Sequence, residues 1–179
     1  MNDCIDRRGF RANVGIILSD SSRAVLVGGR LGQSGWQFPQ GGIQRNESPE
    51  RAMYRELREE IGLRPDDVEV LACTSRWLYY HLPKRFVRRD RRPLCIGQKQ
   101  RWYLLRLVAD PRNVQLDTTD RPEFDRWRWV DFWRPVKDVI YFKRKVYVQA
   151  LDALAPALFP DGAPPTPGWW PQRWQAESE

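Results

Sequence analysis

Apolar positions change their period several times along the chain, and each change marks an element. Residues 13–18 (NVGIIL) and 24–30 (AVLVGGR) are rich in β-branched side chains and are separated by Ser19-Asp20-Ser21-Ser22, which predicts a hairpin. Residues 35–40 (GWQFPQ) alternate Trp36 and Phe38 with polar neighbours, predicting a short strand whose rings anchor in the core. From Ser48 the period becomes helical. Ser48 suits an N-cap, Pro49 the first helical position and Gly62 a left-handed C-cap, so a helix is predicted over 48–61. Its apolar face carries Met53, Tyr54, Leu57 and Ile61. Beyond it, 68–75, 77–82, 101–108 and 127–130 read as strands, and 136–158 spaces apolar residues as one or two helices bounded by Pro135 and Pro156. Strands before and after one helix, with a second helical region near the end, predict an α/β/α sandwich in which helices cover both faces of a mixed central sheet.

The polar face of the first helix is where chemistry enters. At about 100° per residue, Glu56, Glu59 and Glu60 fall together on the arc beside the apolar face. Acids at this spacing repel by roughly a few tenths of a kcal/mol per pair, and an ordinary solvated helix would intersperse lysines. Arg55 and Arg58 are the nearest relief. A divalent cation would turn the repulsion into coordination, because hard Mg²⁺ or Mn²⁺ prefers carboxylate oxygen and keeps bound water. Gly41 and Gly42, just ahead of the helix, let a loop bring main-chain carbonyls to the same place. Glu123, at the mouth of a late strand, is a further carboxylate able to complete such a shell.

Composition narrows the classes that remain. A chain of 179 residues fits one domain, taken as 1–159, followed by a segment at 160–179 that holds five prolines together with Trp169, Trp170 and Trp174. That segment is expected to be a poorly ordered tail. No run of about 18 apolar residues exists to span a membrane, and the N-terminus lacks the apolar stretch of a secretory signal. Cys4, Cys73 and Cys95 are odd in number and widely spaced, which fits reduced thiols and a cytoplasmic setting. His81 is the only histidine, which removes histidine-rich metal sites and speaks against a Ser-His-Asp hydrolase, so any metal must be held mainly by oxygen. The net charge of +7 favours a polyanionic partner, and it concentrates at residues 76–106, where ten Lys and Arg face the single acid Asp90.

The spacing Gly41-x5-Glu47-x7-Arg55-Glu56-Leu57-x-Glu59-Glu60-x-Gly62-Leu63 resembles the complete signature of the Nudix hydrolase family. The likeness reaches well beyond it. Gly9-Phe10-Arg11, the run from Trp36 to Ile43, the run from Cys95 to Gln100, Pro122-Glu123-Phe124-Asp125 and Phe142-Lys143-Arg144 are similar to the branch of that family acting on the 5′ ends of RNA. Residues 9–154 are covered. The resemblance implies the same sandwich fold, Mg²⁺ or Mn²⁺ as cofactor, and release of pyrophosphate from 5′-triphosphorylated RNA to leave a 5′-monophosphate, which promotes RNA decay. It implies that Glu56, Glu59, Glu60 and Glu123, with Gly41, hold the metal, that Arg55 orients the carboxylates, and that Glu47 serves the loop structurally. It also implies substrate contacts: Arg11 and Phe142 against the first bases, Lys143 on a phosphate, and Arg30, Gln98 and Lys99 on the phosphate side. A hydrolase of dinucleoside polyphosphates shares these motifs and is the alternative. A binding module without catalysis has no evident need for three mutually repelling carboxylates.

Overall fold

Strand β1 (Phe10–Ser19) is the axis of the sheet. In the computed structural model, which describes residues 4–120 and 122–171, β1 runs parallel to β7 (Gly97–Leu107) in unbroken register from Phe10↔Gly97 to Ser19↔Arg106. The remaining strands are β2 (Val25–Arg30), β3 (Trp36–Gln37), β4 (Gln40–Gly42), β5 (Val68–Cys73), β6 (Leu78–His81) and β8 (Phe124–Val130). They complete a mixed sheet of order β3-β2-β1-β7-β5, with β4 on β1, β6 on β7 and β8 on β2. The predicted hairpin is present, closed by the Asp20 carboxylate, which accepts from the backbone N–H groups of Ser22 and Ala24. However, β1 and β2 register only at Ser19↔Val25. Below that point β4 takes β2's place, pairing Asn13↔Gly42, Val14↔Gly41 and Gly15↔Gln40. The sheet therefore opens where β4 enters, and the candidate site lies at this opening.

Alternation along β1 and β7 sorts the core into two layers. Val14, Ile16, Leu18 and Leu105 face helix α1 (Pro49–Ile61) and pack with Met53, Leu57 and Ile61. On the other side, Ile17, Trp102 and Leu104 face helix α3 (Arg144–Leu158) and pack with Val146, Tyr147 and Leu151. Full burial of such side chains stabilises by about 1.5–3 kcal/mol each. At Gly15 a Cβ would meet the Trp102 ring at 2.5 Å, so only glycine lets that indole lie against β1. Phe38 then fits between Trp102 and Tyr147, with centroids 5.8 and 5.0 Å away. The expected α/β/α sandwich results, with one helix on each face.

The caps of α1 match its sequence. Ser48 accepts from the Arg51 N–H at 3.2 Å, and Gly62 ends the helix at φ 74° with its N–H on the Arg58 carbonyl. The second helical region differs from expectation in one respect. A short helix α2 (Pro135–Asp138) precedes α3, and Pro156 lies inside the last turn of α3 instead of bounding it. Buried Leu154, Ala155 and Leu158 hold that turn on the sheet, which offsets the i→i−4 hydrogen bond that the proline cannot make.

The segment from residue 160, expected to be a loose tail, is seated on the domain as far as Pro171. Trp133 donates its indole N–H to the Pro164 carbonyl at 2.9 Å. Trp170, only 5% exposed, meets the Trp133 ring edge-on at 4.7 Å. Trp174 lies outside the described residues. Replacing Trp170 with Ala is expected to cost about 3 kcal/mol, the lower end of the range for a buried aromatic, because its site is peripheral. Urea unfolding measures this, and an unchanged midpoint would show that the segment does not support the fold.

Candidate active site

Arg55 fixes the acidic face of α1. Its guanidinium makes a two-pronged contact with Glu47, Nε to Oε1 and Nη2 to Oε2, both at 2.9 Å. The same Nη2 donates to the Gly42 carbonyl at 2.8 Å, tying the loop to the helix. Nη1 donates to Glu56 and, at 3.1 Å, to Glu59. Glu47 also accepts from the Gln44 N–H, and its carboxyl is held below the usual range chiefly by Arg55. One cation thus organises three acids and a backbone carbonyl, as the planar five-donor fork of arginine permits.

Close approach of α1 to β4 depends on glycine. A Cβ at position 41 would overlap the Glu56 carboxyl group, and one at position 42 would overlap the Arg11 guanidinium. Glu56 is therefore buried against the backbone of β4, and burial raises its pKa although Arg55 opposes the shift. Glu60, one turn on, is 6% exposed and accepts the Gln40 N–H at 2.9 Å. Burial first, then the nearby charges of Glu123 and Glu56, push its carboxyl well above the usual range. Glu59 is different. It sits on the outer, exposed side and reaches the group only through Arg55.

Glu123 arrives from across the sheet. Antiparallel pairing of β2 and β8 shifts register between Gly29 and Arg30, aligning Arg30 with Phe124, so the Glu123 side chain turns into the opening. There Gln37 donates to Glu123 Oε1 at 2.9 Å and accepts from the Lys143 Nζ at 3.2 Å. Burial, reinforced by the neighbouring Arg30, lowers the Lys143 pKa to about 8, against the pull of Glu123 and Glu60. Arg30 stands at the exposed mouth, 3.6 Å from Glu123. Gln37 is not among the site residues expected from the sequence. Its signal there was only a polar residue between Trp36 and Phe38, and its role follows from the pairing Gly28↔Gln37 that turns it inward.

The remaining expected residues divide. Arg11 lies over Gly42 and so belongs to the same opening. Phe142 is half-buried beside it, 6.0 Å from Tyr80 and 5.4 Å from Phe86. Gln98 and Lys99, expected on a loop ahead of a strand, lie on β7 itself, where Gln98 pairs with Arg11 across the ladder. Lys99 is engaged with Asp6 at 2.9 Å, which removes a freely available cation from the phosphate side.

The donor set suits a hard divalent cation. The charge of Glu123 raises the cost of ionising both Glu56 and Glu60, and Glu56 adds to it at Glu60. Added positive charge would relieve them. Among the described residues no three His, Cys, Asp or Glu side chains are already gathered closely enough to hold an ion. Arg55 engages Glu56 and Glu59, while Gln37 engages Glu123. An ion here would be held by a few carboxylates and by water, the mode Mg²⁺ favours over an all-protein cage.

Comparison with known proteins agrees with this geometry. Residues 9–150 match the NUDIX domain family. The chain is 59% identical over 163 residues to an RNA pyrophosphohydrolase of Alkalilimnicola ehrlichii, covering 91% of this chain and 90% of that one. It is 58% identical over 154 residues to one from Pseudomonas putida, covering 86% and 97%. Among solved structures it is similar to the E. coli dihydroneopterin triphosphate pyrophosphohydrolase, with TM-score 0.61 at 17% identity over 77% of this chain and 92% of that one. A C. elegans Ap4A hydrolase gives 0.58 at 17% identity, covering 80% and 94%. The structural likenesses speak to the fold; the family match, spanning the strands, the acidic helix and the glycine loop together, establishes that this chain is a member of the NUDIX family.

Proposed function

We propose that this chain is an RNA pyrophosphohydrolase. It would break one phosphoric anhydride bond at the 5′-triphosphate end of RNA by attack of water, releasing pyrophosphate and leaving a 5′-monophosphate. The observation that carries the reading is the placement of adjacent residues at opposite ends of one opening. Lys143 is buried among Glu60, Glu123 and Gln37, while Phe142 joins the aromatic residues outside. A triphosphate at the acidic end and a base on the ring at the other end fit a 5′-terminal nucleotide. High identity to relatives named RNA pyrophosphohydrolase supports RNA as the substrate.

In this reading Lys143 and Arg30 meet the phosphate oxygens, and Gln37 positions both Lys143 and Glu123. Arg55 keeps Glu56 in place against Gly41, and Arg11 and Phe142 hold the first bases. A carboxylate from Glu56, Glu60 and Glu123 receives the proton that water loses. These acids, with Glu59 and Gly41, would hold Mg²⁺ or Mn²⁺, which would supply neutralisation of phosphate charge and a lowered pKa for water. Gln98 would act from β7 at the edge of the phosphate path, while Lys99 stays paired with Asp6. We place the activity in the cytoplasm, consistent with Cys4, Cys73 and Cys95 all being free. No helix among the described residues is long and apolar enough to cross a membrane.

Glu60→Gln preserves shape and removes charge at the most buried acid. It is expected to lower kcat about a hundredfold or more, about 2.7 kcal/mol on the barrier. Steady-state turnover by a variant with wild-type melting behaviour tests this, and near-normal kcat would refute the role of the acidic group.

The substrate is tested by comparing Mg²⁺-dependent kcat/KM for 5′-triphosphorylated RNA, diadenosine tetraphosphate and a free nucleoside triphosphate in one buffer. RNA is expected to rank first, with a preference that weakens as salt rises. If the dinucleotide ranks first, the acidic site stands and the chain is a small-nucleotide hydrolase.

A further inference from the structure

Beside the opening stands a group of exposed aromatic residues that catalysis on a triphosphate does not use. Phe86 is 43% exposed and lies 5.4 Å from Phe142, and Tyr141, 52% exposed, meets Phe142 edge-on at 5.5 Å. Arg85 joins the two outer rings, its guanidinium carbon 5.0 Å from the Phe86 centroid and 5.9 Å from that of Tyr141. These rings come from different parts of the chain, a 3₁₀ turn at Lys84–Phe86 and another at Tyr141–Lys143. Exposing such rings wastes apolar burial, and a clustered patch marks a surface that something covers.

Charge identifies the occupant. Residues 84–92 carry Lys84, Arg85, Arg88, Arg89, Arg91 and Arg92 against Asp90 alone, and all seven side chains are exposed. Among the described residues none of the six cations pairs with a carboxylate. Flat rings interleaved with unneutralised arginines match a single-stranded polynucleotide, whose bases stack on aromatic faces while its phosphates meet the cations. The direction also fits. From the buried ammonium of Lys143 the surface passes to Phe142, then to Phe86 and Tyr141, then to the basic loop, so a chain with its triphosphate among the acids would leave along this line.

We propose that Arg85, Phe86 and Tyr141 form an outer shelf for single-stranded RNA, holding nucleotides that follow those at the opening. The proposal rests on the RNA reading above and adds a site outside the catalytic group. Its consequence is that affinity grows with the length of unpaired RNA beyond the 5′ end.

The test compares Phe86→Ala, Tyr141→Ala and Arg85→Ala with the wild type on two Mg²⁺-dependent substrates, a 5′-triphosphorylated dinucleotide and an unstructured triphosphorylated oligonucleotide several times longer. The ratio of kcat/KM for long over short substrate is expected to fall about fivefold to tenfold in each aromatic variant, through KM and not kcat. In Arg85→Ala the dependence of log KM on log salt for the long substrate is expected to flatten by about 0.7. All three side chains are exposed, and anisotropy binding of a 5′-hydroxyl oligoribonucleotide gives a readout independent of turnover. Unchanged ratios and unchanged binding in the variants would overturn the shelf while leaving the catalytic reading intact. Failure of the wild type to turn over either triphosphorylated RNA would instead sink the catalytic reading. Polyglutamate binding as tightly as the oligonucleotide, with the same sensitivity to the variants, would overturn the shelf in favour of a protein-docking surface.

Discussion

The guanidinium of Arg55 is the constraint on which the site depends. Glutamates at positions 56, 59 and 60 repel, and two of them are drawn from water by packing against the sheet. One cation that bonds Glu47, Glu56, Glu59 and the Gly42 carbonyl makes that arrangement possible and joins the helix to the glycine loop. Lysine has the charge but not the fork, and a single ammonium could not span a two-pronged carboxylate, a second acid and a carbonyl in one plane. Glu60 is pushed well above the usual carboxylate range by burial first and by the charges of Glu123 and Glu56, and it lies beyond the reach of the Arg55 bonds that oppose such a shift at Glu56.

The sheet supplies the other half of the constraint. Because β1 pairs with β2 at a single register position and with β4 below it, the sheet opens beside Gly41 and Gly42. Glycines at these positions let α1 and Arg11 approach the strand backbone, and any side chain would displace Glu56 or Arg11. The irregular register of β2 against β8 delivers Glu123 to the same gap. Helix, loop and strand end thus converge at a fault in an otherwise regular sheet, the kind of place where polar groups can be half-buried without breaking a continuous ladder.

What was legible in the sequence follows the range of the interactions. The bounds of α1 were readable because Ser48, Pro49 and Gly62 act within one turn of themselves, and the acidic arc follows from helical spacing alone. Helical cover on both faces of the sheet was readable from the order of strands and helices, whereas the apolar runs of β1 and β7 did not say which side chain faces which layer. The role of Gln37 was not readable, since it requires β3 to pair with β2 and the turn before α3 to bring Lys143 within 3.2 Å, the latter contact spanning 106 residues. Lys99 looked like one more free cation until the fold placed Asp6 beside it. Pro156 and the proline-rich segment misled for a related reason. Local rules for proline predict a helix end and a loose tail, yet burial of Leu158 and the docking of Trp170 on Trp133 outweigh them.

Two opposed fields meet in this molecule, and their separation explains how a basic protein presents an acidic centre. The net charge of +7 and the exposed arginines at residues 84–92 attract a polyanion over distances of about a Debye length, roughly 8–10 Å at ordinary ionic strength. The carboxylates would repel it at contact, but they are recessed, and burial already weakens their charge by raising the cost of ionisation. Lys143 and Arg30 stand between the two fields. On the proposed function, a polyanion would be drawn first to the rim and would meet the acids only at its end. In the RNA reading such an arrangement would let an internal phosphate of a long chain rest on the rim and bring the terminal polyphosphate, with its higher charge, to Lys143, Arg30 and the acids.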